Sequence, residues 1–410
     1  MMLSNLPRYF ILCLLLLAVG CASRNYQAQE VSSSPFMARM MERTNGPVTV
    51  RTAVPTAEET LALTGLDLYS QDIQPVWIEV TNNSRQGARI SHWSIDRHYF
   101  SPIEVAYMNK SKYGGQGYDD MEAWFHHNGL ARNIPAGETR KGFVFTNRQQ
   151  GTKGFSLDVF ANQQAHSFTF FVPMPGFTPD FAEVNFGSLY DEAERRQLGD
   201  TQSLRDALEN ELPCCGEGPQ GERNGAPFNL VLVTSPRALR RSLLRSNWIE
   251  TTADDPLTAH ARANHYRGRP PDGVFQKLRP DGNERIEARL WLSPWRLGNN
   301  GIWICQVVYS TSDADKLIEF LTPQSPAADL DSAVRFMLQD AWYSQSVIKA
   351  GYVSGVGQVP REKPRESFSG HEYFTDGLRL VLQLADEPVS VDEGRIIFRD
   401  TPIPRMTDRD

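Results

Sequence analysis

The chain is poor in cysteine, with five in 410 residues, and short of positive charge, with 42 Lys and Arg against 49 Asp and Glu. An acidic balance argues against a nucleic-acid partner or a general coat on an anionic membrane, since both call for a basic face. No apolar run approaches the roughly 20 residues of a membrane-spanning helix. There is no Cys-x-x-Cys pair, so neither a zinc site nor a thioredoxin-like redox motif is encoded. No serine stands in a nucleophile-elbow context. Gly355-Val356-Gly357 is followed by neither a helix nor a P-loop lysine, so it implies no phosphate cradle. Catalytic residues are therefore unknown from sequence, and no cofactor and no metal is implied.

What is present begins at the amino end. Residues 1–20 hold one charge, Arg8, followed by an apolar core from Phe10 to Val19 that closes on LLLLAVGCAS. Such a short apolar region behind a basic start and ahead of small residues is the pattern of a secretory signal peptide. Ala18-Val19-Gly20-Cys21 resembles the bacterial lipobox, in which cleavage falls before a cysteine that already carries a diacylglyceryl thioether. That resemblance implies lipidation at Cys21 by two or three acyl chains, palmitate among them. At about 0.8 kcal/mol per buried methylene they give durable attachment. Ala22, where an Asp often retains lipoproteins in the inner membrane, implies the periplasmic face of the outer membrane. The expected location is thus the cell envelope, held to the membrane by lipid.

With Cys13 in the signal peptide and Cys21 lipidated, Cys214, Cys215 and Cys305 remain. The periplasm lets disulfides persist. Cys214 and Cys215 are adjacent in the Gly-rich stretch LPCCGEG and are expected to pair with each other, with a bridge from either to Cys305 as the rival. Cys305, in the apolar run IWICQVVYS, is expected to be a buried small hydrophobe.

About 390 residues beyond the signal exceed one comfortable core, so two domains are expected. Residues 21–46 are polar and mixed, as in a tether. In 47–177, PVTVRTAV, PVWIEVTNN, FSPIEVAYM, RKGFVFTN, FSLDVFAN and HSFTFFVP are each strand-like, with NNSRQG, IPAGET and NQQAH as turns. YDDMEAWFHHNGL is expected as an inserted helix capped by Asp119 or Asp120. Short strands at this spacing predict an all-β immunoglobulin-like sandwich. Residues 178–225 are expected to form a helical linker, helical in composition over 189–211, and a Gly-rich loop. From 226 to 390 strands (NLVLVTS, GVFQKL, RIEARLWLS, IWICQVVYS, LRLVLQLA) alternate with two amphipathic helices, PRALRRSLLRSNW and Asp329 to Ser344. An α/β-type domain follows from that alternation, a mixed α+β class for the whole, and a tail over 391–410 whose last residues, FRDTPIPRMTDRD, are expected to be loose.

These segments in this order resemble the LssY C-terminal domain family: NLVLVTS with SNW, VFQKLRP, ARLWLSP, GIWICQVVYS, DLDSAVRFMLQD, GVG and YFTDG, covering Ala226 to Asp386. PVWIEVTNNS, YFSPIEVAY and IPAGETRKGFVFTN are similar to the sandwich that precedes this domain in some lipoproteins. The resemblance names a family rather than a reaction. Relatives often carry paired histidines where Glu287 and Ala288 stand here. Some relatives are fused to a membrane phosphatase. SRQGARISHWSID (Ser84 to Asp96) and Ser369-Gly370-His371 superficially share its letters, but in reversed order and without membrane helices.

Few candidate sites stand out. HARANHYRGRPPDGVFQK gathers Arg262, His265, Arg267, Arg269 and Lys277, and guanidinium forks suit phosphate oxygens, so this loop is the candidate anion site. His92, Asp96 and His98 share strand parity and would face one way as ligands. His126 and His127 are expected on a helix surface. His371, Glu372 and Asp376 would need to converge for acid–base work, and Thr375-Asp376-Gly377 is more simply a tight turn. The expected function is a non-enzymatic, lipid-anchored binding or assembly module with an envelope protein or lipid as partner. The alternative is an enzyme or accessory acting on phosphate-bearing envelope lipids. That alternative expects Lys277, Arg289 and His371 to share one deep pocket.

Overall fold

The computed structural model describes residues 25–95, 99–278, 284–311 and 327–398. The chain is of mixed α+β class and forms two compact units, Met1–Gln149 with Phe155–Pro175, and Gln150–Gly154 with Gly176–Asp410. No helix among the described residues is long and apolar enough to cross a membrane. The expected signal peptide and Cys21 lie outside the described residues.

In the first unit one sheet joins β1 (Met41–Asn45), β2 (Val48–Ala53), β3 (Ile73–Asn82) and β6 (Thr139–Asn147) in that order. A second joins β5 (Asn133–Ile134), β4 (Ala88–Ser91), β7 (Thr152–Ala161) and β8 (Gln164–Pro173). Alternation decides which side chains go in. Val76, Ile78 and Val80 of β3 share a cluster with Ile90 of β4 and with Leu157 and Val159 of β7. The tight β7–β8 connection places Asn162 and Gln163 both at positive φ, as a two-residue hairpin turn requires.

Among the described residues three α-helices belong to this unit: α1 (Ala57–Thr64), α2 (Pro102–Met108) and α3 (Gln116–Asn128). FSPIEVAYM, expected as a strand, is α2. Ser101 caps the Glu104 amide while the Glu104 carboxylate returns to the Ser101 amide, and Pro102 takes the first turn. Helix α3 starts at Gln116, ahead of the expected cap at Asp119 or Asp120. The stretch expected as a tether is packed from Tyr26 onward. Phe36 is fully buried against Trp77 and Phe143, a burial worth about 1.5–3 kcal/mol.

The second unit is built on a nine-stranded sheet. Its strands are β9 (Arg196–Leu198), β10 (Leu230–Thr234), β11 (Ile249–Glu250), β12 (Gly273–Leu278), β13 (Glu284–Leu297), β14 (Asn300–Thr311), β16 (Val347–Val353), β19 (Arg379–Leu384) and β20 (Arg395–Ile396). The order runs β11-β12-β13-β14-β10-β19-β16-β20, with β9 beside the end of β13. β15 (Ala328–Asp329), β17 (Arg365–Glu366) and β18 (Glu372–Phe374) make a small separate sheet. Its helices among the described residues are α4 (Asp180–Glu183), α5 (Thr201–Asn210), α6 (Pro236–Arg245), α7 (Ala259–Arg262) and α8 (Leu330–Tyr343). Both faces of the large sheet are covered. On one, Leu232, Phe275, Leu290 and Trp303 meet Leu239 and Leu243 of α6 and Ala333 and Met337 of α8. On the other, Val231, Trp291 and Ile304 meet Leu204 and Leu208 of α5.

The expected helix over 189–211 is shorter. Arg196–Leu198 pairs with Trp295–Leu297 as a strand, and the Asp200 carboxylate accepts the Ser203 amide to start α5. Of the expected tail over 391–410 the described part is anchored, since β20 pairs with β16 and Ile397 and Phe398 are buried, and the stretch after Phe398 lies outside the described residues.

Candidate functional site

A strand covered on both faces has nowhere to put a charge without a partner, and β13 buries two, Glu287 and Arg289, in Glu-Ala-Arg-Leu-Trp. Ile286, Ala288 and Leu290 point into the α6–α8 core, which sends Glu287 and Arg289 to the opposite face with Trp291. Glu287 is fully buried. The Arg289 Nε donates to its Oε1 at 2.7 Å, and its Oε2 lies 3.3 Å from Nε2 of His260 on α7. Gln276 of β12 donates to Glu287 at 3.4 Å, and Arg289 donates to Gln306 of β14 at 3.2 Å. Burial alone would push the Glu287 carboxyl up; the Arg289 charge, with His260, outweighs it and holds the group down at about 2. A carboxylate that weak as a base takes no proton near neutrality. The cluster acts as a polar clamp joining β12, β13, β14 and α7. Sequence reasoning noted Glu287 only for the histidine it replaces. The signal was opposite charges two apart within an apolar strand.

The vicinal-cysteine loop lies over one end of this cluster. Cys214 and Cys215 are joined to each other by a disulfide, and Cys305 is free and fully buried, its thiol pushed up by burial. The loop doubles back, Gly216 N–H donating to Ala226 O at 3.0 Å, while Gln306 Nε2 donates to the same carbonyl at 2.6 Å. A Cβ at position 216 would stand 2.7 Å from Gln306 Nε2, so any larger residue would push the Gln306 amide from its place against the Ala226 carbonyl. Non-reducing peptide mapping is therefore expected to find Cys214 and Cys215 in one intramolecular pair, with Cys305 alkylated only after denaturation. A crosslinked peptide containing Cys305 would contradict this pairing.

The basic segment does not form a single anion cradle. Arg262 donates to Asp180 at 2.9 Å and to the Thr252 carbonyl at 2.5 Å. Burial raises the Asp180 carboxyl, and Arg262 opposes that rise. Arg269 donates to Asp272 at 2.7 Å and to the Tyr190 hydroxyl at 3.0 Å. Arg267 lies 3.8 Å from Glu194, and His265 exchanges backbone hydrogen bonds with Glu217. Lys277 shares its strand face with Phe275, on the α6–α8 side, where it donates to Asp340 and to the Ser246 carbonyl. Tyr266, beside Arg267, belongs to the cluster on the other face. The loop's letters are cationic, but each of these cations lies against a separate acid: Arg262, Arg267 and Lys277 against Asp180, Glu194 and Asp340 from elsewhere in the chain, and Arg269 against Asp272 of the loop itself.

The remaining candidates fall apart similarly. Lys277 and Arg289 project from opposite faces of the sheet, and His371 is exposed, so these three share no pocket. His371 and Glu372 face solvent, while Asp376 accepts the Leu378 amide in a turn closed by Gly377 at φ +88°. His126 and His127 are exposed at the end of α3. His92 opens a 3-10 turn rather than continuing a strand, so the parity argument fails there; Asp96 and His98 lie outside the described residues. Among the described residues no group of three or more His, Cys, Asp and Glu side chains is placed to hold a metal ion. Against this geometry, no protein-family model matches the chain and no curated protein matches it.

Proposed function

We propose that the chain is a lipid-anchored cell-envelope protein, held at the periplasmic face of the outer membrane through Cys21, and that its two units bind a partner rather than turn over a substrate. The observation that carries the reading is the apolar run Phe10 to Val19 ending on Ala18-Val19-Gly20-Cys21, too short to span and closed by a lipidation signal. The first unit is an immunoglobulin-like sandwich on this reading, supported by two four-stranded sheets that bury one cluster between their inner faces. The second is an LssY C-terminal-like domain, supported by the order of its motifs along Ala226 to Asp386. The side chains that enzymatic action on phosphate-bearing lipids would enlist, Arg267, Arg269, Lys277 and Arg289, are spent on ion pairs within the fold. That pattern favours binding.

Replacing the anchor tests the reading. In cells supplied with an alkyne fatty acid, the wild-type chain is expected to be labelled and to sediment with membranes. Cys21→Ala is expected to lose both properties while keeping its thermal unfolding profile, because the anchor lies outside both cores. Equal labelling and retention of the variant would sink the proposal.

A further inference from the structure

The first unit has a cavity of about 410 Å³, within the size range of small-molecule sites, lined by Arg89, Ser91, His92, Tyr99, Arg132 and Phe160. Three features set it apart from the ion-paired clusters of the second unit. Among the described residues Ser91 Oγ and His92 Nε2 are buried polar atoms that find no hydrogen-bond partner, and Ser91 is only 8% exposed. Buried polar groups are costly unless something satisfies them. Next, neither Arg89 nor Arg132 has an acidic partner among the described residues; Arg132 reaches only the Tyr99 hydroxyl, at 3.5 Å. The nearest strand neighbour with a carboxylate, Asp158, sits opposite Ser91 in register, but its Oδ1 is occupied by the Ser167 hydroxyl at 2.7 Å. Finally, apolar surface is at hand. Phe160, opposite Arg89 in register, is 49% exposed, and the His92 and Tyr99 rings meet edge to face with centroids 6.0 Å apart.

Two guanidinium groups without acids among the described residues, a hydroxyl and an imidazole nitrogen that find no partner there, and exposed ring surface ask for one kind of ligand. We infer that this cavity binds a small organic oxyanion, a phosphate ester or carboxylate on an apolar body, with Arg89 and Arg132 on the charged end, Ser91 and His92 completing its hydrogen bonds, and Phe160 against the body. Burial, with the Arg132 charge beside it, holds His92 down at about 4, so the ring meets the anion neutral, able to offer one N–H. A neighbouring hollow shares Arg89 and Phe160 and adds Asn133 and Arg140, leaving room for a body longer than the first cavity holds. The inference deepens the binding reading by naming a ligand class, yet it is independent of the anchor, since Cys21 lies outside this unit's described residues.

The test uses the mature chain purified from membranes in a neutral detergent, with histidine side chains isotopically labelled for NMR and affinity measured by calorimetry. Phenyl phosphate or benzoate is expected to bind saturably and to shift the His92 ring signals, with inorganic phosphate weaker. Arg89→Gln and Arg132→Gln are each expected to weaken binding about tenfold or more, the double variant to abolish it, and thermal unfolding to change little because neither side chain has an acidic partner among the described residues and Arg132 makes only a long contact with Tyr99. Preference for phenyl phosphate or for benzoate assigns the head group, and either supports the inference. Dihexanoyl phosphatidate below its micellar concentration separates sources: tighter binding than phenyl phosphate marks a lipid head group, weaker or equal binding a soluble ester. Absence of saturable binding by phenyl phosphate, benzoate and dihexanoyl phosphatidate would overturn the inference. So would binding unchanged in the double variant.

Discussion

Arg379→Met is expected to lower the stability of the second unit by about 3–5 kcal/mol, a large part of the 5–15 kcal/mol typical of a folded protein. The side chain is fully buried and has no carboxylate partner among the described residues. Its charge is instead held by backbone carbonyls. Nε donates to Phe228 O at 3.0 Å, Nη1 to Leu208 O, and Nη2 to Leu212 O at 3.2 Å, Pro213 O at 2.5 Å and Gly355 O at 3.1 Å. Leu208 and Leu212 lie at the carboxyl end of α5, where unpaired carbonyls and the helix dipole favour a cation. Burial pushes Arg379 down to about 10, which still leaves it charged at neutral pH. Methionine fills similar space and leaves these carbonyls buried without a donor. Urea unfolding of the full chain, followed by tryptophan fluorescence, measures the loss. A change under about 1 kcal/mol would show that water replaces the guanidinium freely.

Glu287→Ala carries the second large expectation, a loss of about 3–5 kcal/mol, because Arg289 would remain buried without its carboxylate. Replacing both residues with methionine is expected to recover most of it, since an apolar pair of similar volume removes the uncompensated charge. The same carboxylate makes stability depend on acid. Its folded-state value, about 2, lies below the ordinary glutamate value of about 4.3. The group therefore binds its proton more readily when unfolded, and its contribution is complete above about pH 4.3. It is lost as pH falls through about 2. In Glu287→Gln the stability between those limits should fall less steeply than in the wild type, although the variant is weaker at neutral pH. Parallel acid limbs for the two proteins would contradict the assignment.

Strands were legible where one face is buried and the other open, as in PVWIEV, because period-two alternation records that asymmetry directly. The helix at Pro236 and the one after Asp329 were legible for a second reason: each combines an apolar stripe with a cap, Ser235 accepting the Ala238 amide and Asp329 the Ser332 amide. FSPIEVAYM misled because its branched residues suit a strand, while the Ser-Pro-x-Glu start that fixes a helix is a four-residue signal easily outweighed. Sites were less legible than elements. The cations between Arg262 and Lys277 are close in sequence, but Asp180 and Asp340, which take up Arg262 and Lys277, lie 82 and 63 residues away and are brought in only by the fold, while Asp272, the partner of Arg269, stands in the same stretch. Gly355 shows the converse. Read as a weak Gly-Val-Gly motif, it is needed because a Cβ there would meet Arg379 at 2.7 Å, and its φ of +121° is open chiefly to glycine. No local pattern announces a residue that makes room for a side chain 24 positions away.

The most direct test of the account is the mass of the amino-terminal peptide of the mature protein recovered from membranes. After tryptic digestion, the account predicts a peptide beginning at Cys21 and ending at Arg24, heavier than its bare sequence by a diacylglyceryl group, with or without a further amide-linked acyl chain. A mature amino terminus at any other residue, or a peptide with an unmodified Cys21 thiol, would contradict it.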